Sequence, residues 1–255
     1  MTIEDSSPDM KKIYNLAQRL VRLIDKNIDS LNQVDGENDG ALLAILNRSL
    51  TTFKVILRLL RFNYAGSACM VLARTIVESM VGVMFMKLKG MDKMLSKFIL
   101  FEIAEAKEDI DYLSSKGIDV SRLDPNKINK EYEKNKKSFE RKSGERWRSW
   151  SGYVHFNRML DELLKSGRFP EKDIERVSRT YLQGSRNTHL SPSDTKFYVL
   201  GEEVLRTMSI RDSRLALVAG MSSLLRIAII FSERIKDDSF KDKLDEIFQK
   251  LDKMG

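Results

Sequence analysis

Cysteine, histidine, proline and strand-forming alternation are all scarce in this chain, and each shortage removes a class of protein. A single cysteine, Cys69, stands among 255 residues, so no internal disulfide can form. One cysteine and two histidines are too few for any Cys/His zinc set. No Glu-x-x-His pair occurs, which argues against a ferritin-like di-iron bundle. No Gly-Lys dipeptide occurs, so the usual phosphate-cradling loop of nucleotide hydrolases is missing. Neither Gly-x-Gly-x-x-Gly in a βαβ setting nor a Gly-x-Ser-x-Gly elbow is present. No metal and no cofactor are therefore expected. The first residues, Met-Thr-Ile-Glu-Asp, are acidic and lack the basic start and apolar core of a signal peptide, so a cytoplasmic location is the expectation.

What is present is a helical pattern. The chain is 42% hydrophobic and 32% charged, the balance of a globular protein, with only four prolines and thirteen glycines as punctuation. β-branched residues rarely alternate with polar ones, and Asp35-Gly36 and Asp39-Gly40 fall between helical runs, where a hairpin is not expected. Apolar residues at helical spacing predict a first helix over about Pro8–Leu31 and a second over about Ala41–Phe62. Further helices are expected at Ser67–Lys89, Asp92–Lys116, from Pro125 behind an Asp124 cap, and at Phe156–Lys165. Others follow from Pro170 toward His189, over Arg211–Arg234, and after Asp237-Asp238. The fold class read from this is all-α: a multi-helix bundle with two central apolar helices, 67–89 and 211–234, sheathed by amphipathic ones. It forms a single helical domain, 1–255, with a polar and basic insertion at 118–152.

The two apolar helices approach the length of about 20 residues that spans a bilayer. Arg74 and Glu78 interrupt one and Arg226 the other, and a charge at bilayer depth is costly. The amphipathic flanking helices offer partners in water, so no membrane association is expected.

Three groups of residues stand out. Arg74 and Glu78 are the only charges between Ser67 and Met86, and their i,i+4 spacing puts them on one helix face. Their neighbours are of the kind a core buries. Such a pair must be mutually satisfied, line a polar cavity, or both, because an unpaired buried charge costs several kcal/mol. It fits a structural ion pair and a functional site alike. Tyr181, Ser185 and His189 recur every four residues on a later helix, and His189 beside Arg186 near the helix end suits acid–base work. A capping role is the plainer reading, since helix C-termini attract cations. Residues 126–148 carry nine Lys/Arg against four Glu, most of the chain's net charge of +7. Lys136, Lys137, Arg141, Arg146 and Arg148, with Trp147 and Trp150 close by, could meet RNA or another anionic ligand through phosphate contacts and base stacking. The alternatives are a solvated helix face and aromatic rings docked on the core.

Arg74-Thr-Ile-Val-Glu78, Trp150-Ser-Gly152 and Tyr181-x-x-x-Ser185-x-x-x-His189-x-Ser-Pro192, in this order, resemble a bacterial helical family catalogued as domain of unknown function 5677. The resemblance implies a helical bundle in which the Arg/Glu pair and the histidine share a polar pocket, and it implies no established activity. More distantly it resembles the HEPN group of helical ribonucleases and binding modules, whose motif is Arg, four to six residues, then His, usually completed by a homodimer. This chain departs from that motif: two residues separate Arg186 from His189, and nine separate Arg179 from it. Two functions stay open. One is a HEPN-like, metal-independent endoribonuclease in a defence or toxin role. It would use His189 as acid or base, Arg186 and Arg74 on phosphate charge, and Glu78 to orient Arg74. The other is a non-catalytic helical binding module for a protein or nucleic-acid partner.

Overall fold

Ser7 ends the polar leader as a helix cap: its hydroxyl accepts from the Met10 amide at 3.3 Å, and Pro8 takes the first helical position, where its missing N–H costs nothing. In the computed structural model, helix α1 then runs Pro8–Leu31 and buries Ile13, Leu16, Leu20 and Ile24 at helical spacing. The described residues are 6–31, 36–61, 66–139, 150–151, 156–188, 199–200, 203–204 and 210–254. Among them the remaining helices are α2 (Glu37–Leu59), α3 (Gly66–Lys89), α4 (Met91–Ser115), α5 (Pro125–Phe139) and α6 (Phe156–Lys165). They are followed by α7 (Glu171–Thr188), α8 (Ile210–Ile235) and α9 (Asp238–Asp252). The protein is an all-α bundle. A two-residue antiparallel pairing, β1 (Val199–Leu200) with β2 (Glu203–Val204), is the one strand pairing that the described residues show.

Helix ends follow local chemistry. α2 begins four residues earlier than its apolar pattern predicts. Gly36 adopts φ 111°, a conformation other residues resist, and Glu37 and Asp39 lie in the first turn, where the helix dipole favours acids. Asp124 and Pro125 open α5 as expected, with Asp124 Oδ1 accepting from the Lys127 amide at 3.3 Å. Asp237 caps α9 by accepting from the Phe240 amide at 2.9 Å.

The described chain divides into two compact units, Met1–Met84 with Leu163–Gly255, and Phe85–Glu162. In the first, α8 packs against α1, α2, α7 and α9, and α1 against α2 and α9. Its apolar character is spent in that setting: Leu217, Met221, Leu224, Leu225, Ala228 and Phe231 are fully buried. At Gly220 the Phe53 ring lies so close that an added Cβ would sit 3.1 Å from it. Tyr14 donates to the Leu57 carbonyl at 3.1 Å, tying α1 to α2, and Arg234 pairs with Asp39 at 2.7 Å, tying α8 to α2. Cys69, on α3, points at the Ile56 carbonyl of α2 at 3.9 Å, and burial pushes its thiol up to about 12.

In the second unit α4 packs on α5. Phe101 and Ala104 form its buried cluster, with Leu100, Ile103, Tyr132 and Trp150 against it. Ahead of α5, Asp119 accepts from the Ser121 amide at 2.9 Å and from its hydroxyl at 3.1 Å, and these bonds hold its carboxyl below the usual range. Among the described residues, three helices are long and apolar enough to cross a membrane by length and composition: α2 as well as the α3 and α8 segments picked out from the sequence.

Candidate functional site

Arg74 and Glu78 do share one face of α3, with Arg74 Nε donating to Glu78 Oε1 at 3.0 Å. Their setting differs from the one their neighbours suggest. The two side chains retain 21% and 37% of their exposure, so the pair lies on a helix–helix seam and outside the packed core. Ala73, Ile76 and Val77 turn inward and are fully buried, while α7 passes over the opposite edge of Arg74.

Gly184 makes that crossing possible. A Cβ at this position would stand 2.6 Å from Arg74 Cβ and 2.8 Å from the Met70 carbonyl, both far inside contact distance. With no side chain there, the Arg74 stem crosses α7 at Gly184 itself. Tyr181 and Thr188 lie one turn to either side. The Arg74 guanidinium is 5.1 Å from the centre of the Tyr181 ring, and its Nη1 reaches Thr188 Oγ1 at 3.5 Å. Asn187 Nδ2 donates to the Ser67 carbonyl at 3.4 Å and adds a second stitch between the same helices. Arg74 is therefore held by a carboxylate, an aromatic face and a hydroxyl at once, each contributing on the order of 0.5–1 kcal/mol when partly exposed.

The other expected members of this group divide. Ser185 donates to the Tyr181 carbonyl at 2.7 Å, a bond within its own helix that leaves the hydroxyl half-buried. Arg186 is exposed in the last turn of α7. His189, one residue beyond α7, lies outside the described residues, as does His155. Gly184 is the member that pattern reading passes over. Its signal was a glycine inside a strong helical run, which marks close approach of another backbone.

On α5 the expected nucleic-acid contacts look different in detail. Lys136 and Lys137 are exposed, but Lys134 stands 3.8 Å from Glu131 and Lys136 3.7 Å from Glu133 along the same helix. Trp150 is half-buried, edge-on to Phe98 with ring centres 5.5 Å apart, and Tyr132 packs on the same cluster. Arg141, Arg146, Trp147 and Arg148 lie outside the described residues.

A second cluster of cations sits elsewhere, in a groove of about 350 Å³ between α1 and α2. Arg22, Lys54, Arg58 and Arg61 line it, and no acidic residue does. Lys54 is answered by Asp25 at 2.6 Å, and Arg61 Nε donates to the Tyr14 hydroxyl at 3.3 Å. Neither Arg22 nor Arg58 has an acidic partner among the described residues. Lys54 and Arg58 are i,i+4 neighbours of like charge, an arrangement that costs a helix about 0.2–0.5 kcal/mol.

The class defined by fold and site is thus an all-α protein with a stitched Arg/Glu seam and a cationic groove. Among known families, the model described as a family of unknown function (DUF5677) matches residues 39–203, more than half of the chain, and the protein belongs to that family. No curated protein and no solved structure matches it. The match includes Arg74, Glu78 and the whole of α7, and it begins within α2.

Proposed function

We propose that the protein is a non-catalytic helical binding module for RNA, holding the strand's phosphates in the α1/α2 groove. The observation that carries this reading is the set of four cations facing one groove, of which Arg22 and Arg58 have no acidic partner among the described residues. Phosphate contacts of this kind give sequence-independent affinity that falls steeply with salt. Arg74 and Glu78 then serve to fasten α7 to α3, since their bonds are already made within the protein. Fluorescence anisotropy with a labelled single-stranded RNA tests it. Wild type should bind with a salt slope of about −0.7 per phosphate neutralised, and Arg22→Gln/Arg58→Gln should bring that slope about 1.4 closer to zero. An unchanged slope in the double variant, or no binding by wild type at low salt, sinks the groove.

A second reading has its own observation. Arg74 Nη1 reaches Thr188, the residue before His189, so its guanidinium lies at the end of α7 that also carries Arg186. In a HEPN-like, metal-independent ribonuclease, His189 would move the proton, Arg186 and Arg74 would take up phosphate charge, and Glu78 would hold Arg74 in place. This version predicts RNA cleavage in EDTA by wild type and its loss in His189→Ala. Equal cleavage by both, or none by wild type, removes it.

A further inference from the structure

A second cavity, separate from the α1/α2 groove and about 630 Å³ in volume, lies among α1, α7, α8 and α9. This is within the range of sites that enclose small molecules. One stripe of α8 forms its wall: Arg214, Val218, Ser222 and Arg226, each four residues from the last. At 1.5 Å per residue that stripe extends roughly 18 Å, with a guanidinium at either end and an apolar or hydroxyl side chain between. Ile13, Phe248 and Leu251 supply apolar surface from α1 and α9, and Asp252 at the end of α9 adds a carboxylate to the lining.

The two ends are not equivalent. Arg226 is locked: its Nη2 donates to Asp173 Oδ2 at 2.5 Å, and its guanidinium lies 5.6 Å from the Phe169 ring centre and 5.2 Å from that of Phe248. Asp173 is buried and also meets Arg176 at 3.3 Å, while Arg179 is paired with Glu175 at 2.9 Å. Three of the four arginines in the wall thereby have carboxylate partners, with Asp173 shared between Arg226 and Arg176. Arg214 is exposed and has no acidic partner among the described residues. A free guanidinium at the rim of an elongated, partly apolar cavity is a receptor for one negative group attached to an apolar body.

We infer that this cavity binds a small amphipathic organic anion, with its carboxylate, sulfonate or phosphate at Arg214 and its apolar part along Val218 toward Phe248. At the other end the Arg226 guanidinium is already held by Asp173 and by two ring faces, so a single-headed anion anchored at Arg214 fits better than a symmetrical dianion. The inference is independent of the RNA reading and stands if that reading fails.

The test uses the full chain and 1-anilinonaphthalene-8-sulfonate, an aromatic sulfonate whose fluorescence rises on burial. Wild type should bind it saturably, one to one, with decanoate displacing it and neutral decan-1-ol at the same concentration leaving it in place. Arg214→Gln should weaken binding about tenfold, the loss expected for one charge-assisted bond, with an unchanged melting temperature. Val218→Phe, which fills the wall, should remove the site without removing the charge. Absence of saturable binding by wild type, equal displacement by decan-1-ol, or wild-type affinity in both variants would overturn the inference.

Discussion

The α3/α7 seam and the α1/α2 groove both place arginines on helices, yet their charges end in opposite states. Arg74 has its partners inside the molecule: Glu78 at 3.0 Å, the Tyr181 face at 5.1 Å and Thr188 at 3.5 Å. Arg22 and Arg58 face a groove with no acidic lining. A satisfied cation has most of its interaction energy committed to holding helices together. An unsatisfied one is held in position at a small cost to the fold and keeps its attraction for something else. The residue that looks most unusual in the sequence is, by this measure, the one with the least capacity left for a ligand.

Substitutions can widen or collapse that contrast. The largest effect belongs to Gly184→Val, which must displace Arg74 Cβ and the Met70 carbonyl; overpacking of this kind costs about 1–3 kcal/mol, measured by urea denaturation. Gly184→Ala sharpens the point by its sign. In an open helix that change stabilises by roughly 0.5–1 kcal/mol, and here it should destabilise. Next comes Arg74→Met, which keeps the stem but loses the carboxylate and the cation–π contact, for about 1 kcal/mol. Cys69 reports on the same seam from five residues away. Its thiol, pushed up to about 12 by burial, should resist thiol reagents at pH 8 in the native protein and react faster in Gly184→Val. The same shift fixes the sign of its pH dependence. Because the folded state keeps the thiol protonated longer than the unfolded one, this group lowers stability as pH rises from about 8.5 toward 12. The smallest effect lies in the groove. Arg58→Gln relieves like-charge repulsion against Lys54 but removes a favourable cation from the last turn of α2, so the two terms offset and stability should stay within about 0.5 kcal/mol of wild type, where the seam variants lose more.

Much of the helical architecture was legible in the sequence because it depends on local spacing and caps. Ser7-Pro8, Asp124-Pro125 and Asp237 each carry their helix start in two or three residues. Arg74 and Glu78 declared their pairing by i,i+4 spacing alone. Other features were hidden because they arise only when distant segments meet. The start of α2 at Glu37 was masked by Asn38, Asp39 and Gly40, which read as a loop until the acidic first turn is considered. The exposure of the Arg74–Glu78 pair depends on where α7 crosses, and that is decided by Gly184, more than a hundred residues later. Charge density along the chain pointed to α5, where lysines and glutamates one turn apart offset each other. The groove instead draws Arg22 from one helix and Arg58 from the next, so no single window contains it. The α8 stripe shows the same limit: Arg226 stood out as a charge in an apolar run, but its partner Asp173 lies on another helix.

The most direct test compares the two regions in one assay: anisotropy titrations of a labelled single-stranded RNA with Arg22→Gln/Arg58→Gln and with Arg74→Gln at the same salt concentration. The groove variant should lose about tenfold or more in affinity, the equivalent of two phosphate contacts, while the seam variant stays within about twofold of wild type. Loss of binding in Arg74→Gln with the groove variant unaffected would contradict the account, and would make the end of α7 the working surface of the protein.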